Sequence, residues 1–313
     1  MNGAGVRAGS KGPRVYIGPE PHPLLVAAVL DGQGSVTGEV AEAEMIVWRA
    51  YQPDELAPLL HPGIRWVQLA AAGVDRWLGS GIIEGSRTWM SGAGTHNENL
   101  AEHALALILA GLHRLGEAAR AERWDRSLAF HRLRGRTVAI IGAGGIGQAL
   151  IALLEPLGVE ILAVTRRGLP VAGATLTLPA ERVAEVWPVS DVIVLCAPAT
   201  AATHHLIDRN VLERMRPEAW IVNVARGSLV NTDDLVAALE AKSIGGAALD
   251  VTDPEPLPEG HPLWGHPRAL ITPHIADPEE HWTPELAERV RDNVARLGAG
   301  IEPLAVIEIE RGY

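Results

Sequence analysis

Three glycines at fixed spacing, Gly142, Gly144 and Gly147 in the run Gly142-Ala-Gly-Gly-Ile-Gly147, have the residue types and intervals of a turn that cradles a diphosphate. Each has its own task. Gly142 permits the tight turn, Gly144 lets the main chain approach a pyrophosphate, and Gly147 lets the next helix pack closely on the strand. The run before them, Thr137-Val-Ala-Ile-Ile, is apolar and β-branched, as expected of a buried parallel strand. The helix expected over residues 145–157, opening on Gly145 and Ile146, would aim its first-turn amides and the positive end of its dipole at that anion. A glycine triplet alone also fits a flexible loop; its place between strand and helix favours the phosphate-binding turn.

Such a turn needs a sheet around it. From residue 137 onward strand and helix patterns alternate, with strands expected at 159–165, 191–196, 220–224, 246–251 and 269–272 and helices at 209–215 and 232–242. This alternation implies a Rossmann-type, doubly wound parallel sheet with ligands at the carboxyl ends of its strands. Upstream, short apolar runs at 15–17, 45–48, 66–70 and 88–90 read as strands of a smaller α/β unit with its own sheet. The small residues Ala70 to Val74 form a tight turn there, either a plain strand-to-helix connection or a set of amides that could receive a carboxylate. Helical spacing of Leu100, Ala104, Leu107, Ile108, Gly111 and Leu115 predicts a long helix over 99–124, followed by an irregular, charged segment, 123–134, holding Trp124 and Phe130. A last helix is expected at 284–297, and a strand at 304–310 that returns to the first sheet. The expected organisation is a disordered tail (1–13), a smaller substrate domain (14–98 with 279–313) and a dinucleotide domain inserted into it (99–278). Two crossings make a hinge, and a substrate is expected in the cleft between the domains.

Composition narrows the function classes. With 313 residues, 47% apolar and 21% charged, the chain reads as an ordinary globular protein of two domains. A formal net charge of −11 argues against nucleic acid or an anionic membrane as partner. One cysteine, Cys196, excludes an intramolecular disulfide and reads as a small core residue, not a nucleophile. The twelve histidines show no metal-ligand spacing, so no metal is expected. No apolar run reaches the roughly 18 residues of a membrane helix, and the first residues lack a signal peptide's apolar core, so a cytoplasmic protein is expected.

Three further segments, Asn223-Val-Ala-Arg226-Gly, Ala248-Leu-Asp250-Val-Thr-Asp-Pro-Glu255-Pro and Thr272-Pro-His274-Ile-Ala, complete a pattern that resembles the D-isomer-specific 2-hydroxyacid dehydrogenases, relatives of glyoxylate/hydroxypyruvate reductase and phosphoglycerate dehydrogenase. The resemblance covers nearly the whole chain and implies hydride transfer between a nicotinamide cofactor and a small 2-keto or 2-hydroxy acid. That chemistry needs a cation on the substrate's oxygens, and Arg226 suits it because a guanidinium stays charged and makes paired bonds. It also needs a proton donor for the developing alkoxide, a task for His274, with Glu255 beside it favouring and orienting the protonated ring. By the same resemblance the amides of Ala72 and Gly73 would bind the substrate carboxylate. Asp250 and the carbonyl of Ala225 would lie at the nicotinamide, and Pro198 and Thr203 beside the adenosine.

One departure bears on the cofactor. An NAD site usually places an acid about twenty residues after the glycines, on the ribose hydroxyls. Here that position is Thr165, followed by Arg166 and Arg167, which lack the carboxylate's repulsion and could clamp a 2′-phosphate. NADP(H) is therefore expected, with NAD(H) possible. The leading expectation is an NADPH-dependent reductase of small 2-keto acids, dimeric through the 99–134 segment. NAD-dependent 3-phosphoglycerate dehydrogenase is disfavoured by the missing ribose acid and by the lack of an added C-terminal regulatory domain. A non-catalytic, cofactor-sensing corepressor-like protein is disfavoured by Arg226, Glu255 and His274 occurring together. Trp282 is expected to anchor the last helix, with closure over the substrate as the other role open to it.

Overall fold

The computed structural model describes residues 12–124, 126–127 and 129–312. Residues 1–11 of the expected tail lie outside the described residues; the Gly12 amide, just after them, donates to the carbonyl of Gln33. Two compact units divide the chain. One runs to His96 and resumes at Pro278; the other is Asn97–Asp277.

The first unit is built on a five-stranded sheet of strands β1 (Arg14–Gly18), β2 (Ser35–Val36), β3 (Met45–Trp48), β4 (Trp66–Leu69) and β5 (Thr88–Met90), all parallel, in the order β2-β1-β3-β4-β5. Its central strand, β3, is a continuous apolar run because both faces are covered. The Pro23–Asp31 and Glu279–Gly298 helices supply the cover on one face, where Trp282, Leu286, Val290 and Val294 pack on Val15, Ile17 and Met45. This helix starts five residues earlier than its periodicity suggests and carries Pro284 in its second turn, where only one N–H is lost from the ladder. Trp282, 3% exposed, is thus a core anchor of that helix.

The strand expected at 304–310 is reduced to one antiparallel bridge, Met90 to Val306. Ala305 adopts a positive φ of 55° and residues Ile309–Arg311 turn into a 3-10 helix, so the chain touches the sheet edge and leaves it.

The second unit contains seven parallel strands: β6 (Thr137–Ile141), β7 (Glu160–Thr165), β8 (Leu176–Pro179), β9 (Val192–Leu195), β10 (Trp220–Asn223), β11 (Gly246–Leu249) and β12 (Ala269–Ile271). Their order, β12-β11-β10-β9-β6-β7-β8, reverses direction between β6 and β9. That reversal leaves a crevice at the carboxyl ends of β6 and β9, where open α/β sheets bind ligands. Strand β8, with only Leu178 of its four residues buried, was too weakly patterned to be expected. The Asn97–Leu112 helix covers one face, and the ring of Trp220 fills the space beside Gly111.

The single long helix expected over 99–124 does not form. It ends at Leu112; Arg114 takes a left-handed φ of 54° and pairs with Glu117 at 2.9 Å, and a short second helix, Leu115–Ala119, follows. Leu115 continues the helical count but is 53% exposed, so no packing holds the chain in one helix past Leu112. No helix among the described residues is long and apolar enough to cross a membrane.

Candidate active site

In the second unit, six strand ends carry the residues singled out above. After β6, Gly142 has a φ of +94°, and a Cβ there would stand 2.6 Å from the backbone of Ala197, after β9. Only glycine meets both conditions. At Gly147 a Cβ would press on the Gly142 carbonyl at 2.9 Å, so the helix and the turn can meet this closely only without a side chain. Gly144 differs: a Cβ there would meet nothing within 4 Å. It caps the Gly145–Leu154 helix, whose first-turn amides at Gly145, Ile146 and Gly147 precede any helical carbonyl partner. A tight turn, an open face and a helix N-terminus together fit the diphosphate of a dinucleotide.

After β7, Thr165 accepts a bond from the Gly168 amide (3.0 Å) through its hydroxyl, and Arg166 and Arg167 are exposed. After β9, the Thr203 hydroxyl donates to the Pro198 carbonyl (2.7 Å) and accepts from the Thr200 amide (2.8 Å), closing the loop on itself. Cys196, at the same strand end, is half-buried by surface area but so densely surrounded that desolvation pushes its thiol up to about 12.

After β10, buried Asn223 organises the next three residues. Its side-chain carbonyl accepts from the Ala225 amide (3.0 Å) and its NH₂ donates to the Arg226 carbonyl (2.8 Å). Arg226 is half-buried and donates from Nη1 to the Ala225 carbonyl at 2.8 Å, which occupies one of that oxygen's two lone pairs.

The ends of β11 and β12 are tied together. Asp250, 3% exposed, accepts from the Thr272 hydroxyl (2.6 Å) and the amides of Ile275 (3.0 Å) and Ala276 (3.2 Å). Burial alone would raise its pKa; the bonds from His103, Thr272 and Ile275 outweigh burial and hold the carboxyl below the usual carboxylate range. His274 sits on this clamped loop at a φ of +52°, its amide donating to the Asp250 carbonyl (2.8 Å). Its Nδ1 lies 2.6 Å from Glu255 Oε1, so Nε2 is the nitrogen turned away from the carboxylate. Both side chains are about half exposed, at 51% and 41%. Arg226, Glu255 and His274 thus all extend from the carboxyl ends of neighbouring strands β10, β11 and β12.

In the first unit, Ala72 and Gly73 follow β4 and are half-buried. The turn is pinned from below: buried His96 approaches the Ala70 carbonyl with Nε2 at 3.0 Å, and the Gly92 amide donates to Ala71 (2.8 Å). Asn223, Thr272 and His103 brace the strand ends of the second unit, and His96 the turn of the first, without having been singled out by residue type. Two of them, Asn223 and Thr272, stand inside the quoted segments; His96 and His103 carried no signal beyond being histidines near a helix start. Among the described residues, no cluster of His, Cys, Asp and Glu could hold a metal ion.

Residues 103–276 match the family model for the D-isomer specific 2-hydroxyacid dehydrogenase, NAD binding domain. An uncharacterized protein from the proB 3′ region of Corynebacterium melassecola is 37% identical over 292 residues, 91% of this chain and 95% of that one. Glyoxylate/hydroxypyruvate reductase A of Yersinia enterocolitica is 30% identical over 215 residues, 68% of each chain. Among solved structures, the NADPH-dependent glyoxylate/hydroxypyruvate reductase of Sinorhizobium meliloti, in complex with NADP and malonate, superposes with a TM-score of 0.72 at 27% identity, over 95% of this chain and 97% of that one.

Proposed function

The chain belongs to the D-isomer specific 2-hydroxyacid dehydrogenases and is an NAD(P)-dependent enzyme, and from that premise we propose that it reduces small, unphosphorylated 2-keto acids of the glyoxylate and hydroxypyruvate type with NADPH. When bound, the nicotinamide supplies the hydride. The protein's own groups do the rest. Arg226 holds the ketone and carboxylate oxygens, with its charge always present. His274, protonated at Nε2 and oriented through Nδ1 by Glu255, delivers a proton to the oxygen that gains charge; in the oxidative direction the neutral ring takes one back. The amides of Ala72 and Gly73 receive the substrate carboxylate. Gly142, Gly144, Gly145, Ile146 and Gly147 hold the cofactor's diphosphate. Pro198 and Thr203 lie by its adenosine, Ala225 and Asp250 by its nicotinamide, and Thr165, Arg166 and Arg167 take the 2′-phosphate.

The 2.6 Å pairing of His274 with Glu255 carries this reading, because a protein that only sensed the cofactor would need no oriented proton donor. The test is the initial rate of reduction of glyoxylate, hydroxypyruvate, pyruvate and phosphohydroxypyruvate, each with NADPH and with NADH. Preference for NADPH and the unphosphorylated acids supports the proposal; a strict requirement for phosphohydroxypyruvate with NADH replaces it with phosphoglycerate dehydrogenase. No turnover with any of them, despite cofactor binding, defeats it.

We also propose a homodimer formed through residues 99–134. Trp124 is 91% exposed, and Phe130, 58% exposed, stacks on His113 at 4.5 Å, so the segment offers aromatic surface that a second copy could cover. Sedimentation of the purified chain as a monomer at micromolar concentration would remove this proposal.

A further inference from the structure

The loop that carries His274 is held by Asp250, and a second residue reaches the same corner from outside the quoted segments. His103, on the Asn97–Leu112 helix, places Nε2 3.1 Å from Thr272 Oγ1 and 3.4 Å from Asp250 Oδ1. Proton counting assigns the roles. An ionised carboxylate only accepts, and Asp250 is held in that state. The Thr272 hydroxyl has one proton, directed at Asp250 over 2.6 Å. Thr272 Oγ1 is then left to accept, so the proton between it and His103 sits on His103 Nε2. This fixes the neutral ring as the Nε2–H tautomer and adds a donor to the Asp250 carboxylate.

We infer that His103 is a positioning residue for the reaction: through Thr272 and Asp250 it holds the turn on which His274 faces Glu255. The inference rests on the assignment of His274 and Glu255 to proton transfer. Its physical basis is strain. His274 occupies a left-handed backbone conformation, which a residue with a Cβ enters only when its surroundings insist. The insistence comes from three bonds converging on one buried carboxylate. Without His103 that carboxylate is one donor short, and a buried charge lacking a partner is relieved by loop movement or by water entry. A helix is the right place for such a support, because its backbone does not move with the loop. The bland alternative is a half-buried helix histidine that merely fills space.

The variants His103→Phe, His103→Gln, Thr272→Val and the double variant His103→Phe/Thr272→Val separate the two. Assays use NADPH with the fastest acid of the panel above. His103→Phe keeps a planar ring and loses the donor; it is expected to lower kcat by about ten- to a hundredfold, the scale set by a misplaced catalytic group, with KM changed by less than about threefold. Gln carries an N–H at the position of Nε2, so His103→Gln recovers most of the lost kcat. Thr272→Val matches the loss of His103→Phe, and the double variant loses no more than the worse single one, since both break one chain of bonds.

Two readouts do not depend on turnover. Ring-nitrogen NMR of ¹⁵N-histidine-labelled protein shows the Nε2–H tautomer for the resonance that disappears in His103→Gln. Amide exchange at Ile275 and Ala276 is faster in His103→Phe. Wild-type kcat in His103→Phe, an Nδ1–H tautomer, unchanged amide exchange or multiplying losses in the double variant each overturn the inference. His274→Ala with undiminished turnover overturns the proton-transfer assignment instead, and the tautomer and exchange data then still judge the clamp itself.

Discussion

Gly227 lies so close to the carbonyl of Thr252 that a Cβ on it would fall well inside van der Waals contact with that oxygen. Two loops meet here, one carrying Arg226 and the other Glu255. The Thr232 hydroxyl, donating to the Asp253 carbonyl, closes the same seam. Gly227→Ala must push the loops apart. It is expected to destabilise the protein by about 1–3 kcal/mol, the range for overpacking, and to lower kcat more than tenfold. Urea denaturation and steady-state rates check this; unchanged values in both would show that the seam yields freely.

Glu255→Gln tests charge apart from shape. The amide keeps the size and a hydrogen-bond acceptor for His274 Nδ1 but removes the carboxylate's negative charge beside the ring. The expected loss in kcat is about 10–100-fold, below the roughly 10²–10⁴-fold expected of His274→Ala, with NADPH binding by fluorescence titration intact in both variants. Equal losses in the two variants would mean that Glu255 is itself a proton donor.

Replacing Arg166 and Arg167 together by alanine should act on one cofactor only. As proposed, each charge-assisted bond to a 2′-phosphate would contribute about 1.5–3 kcal/mol, so the KM for NADPH should rise by more than tenfold while that for NADH stays within a factor of about two. Parallel changes for both cofactors would place the arginines elsewhere than at the 2′-phosphate.

Asp250 predicts an acid limb in stability. Its folded pKa is depressed, so the carboxylate stabilises the fold fully above its unfolded value of about 3.9, and that contribution disappears as pH falls through the lower folded value. Asp250→Asn should be less stable than the wild type at neutral pH and should approach it in acid. Thermal melts at stepped pH from 7 downward measure the gap; a constant gap would deny the linkage.

Cys196 should be inert. A thiol pushed up to about 12 by burial holds almost no thiolate at neutral pH, so alkylation by iodoacetamide in the native enzyme should run far slower than in the unfolded chain. Rapid native labelling with loss of activity would contradict this and make the thiol functional.

Much of the architecture is written locally. Alternation of apolar strands with helical periodicity marks the parallel sheet of the second unit, because a strand covered on both faces must be apolar throughout and needs a crossover to reach its neighbour. Glycine is legible for the same kind of reason: Gly142 and Gly147 stand where no Cβ fits. Arg226, Glu255 and His274 are legible as residue types inside recognisable segments. Element ends are not. The count that carries helix character through Leu115 is local, whereas the helix stops at Leu112 because nothing packs on the next turn, and packing is not a local property. The 304–310 segment has the apolar alternation of a strand, yet it makes one bridge because Ala305 turns the chain off the sheet edge.

Tertiary structure alone decided how the functional segments are held. His103 meets Thr272 across 169 positions of sequence, and Asp250 meets it across 22. No residue type announces such a meeting: a histidine on a helix and a threonine after a strand are ordinary in isolation. The sequence by itself determined which groups were available to bind a dinucleotide and to move a proton, because those capacities belong to side-chain chemistry. The fold decided which of them are buried, paired and aimed, because a carboxylate becomes a clamp, and a histidine its support, only when distant strands and helices bring them within bonding distance out of water.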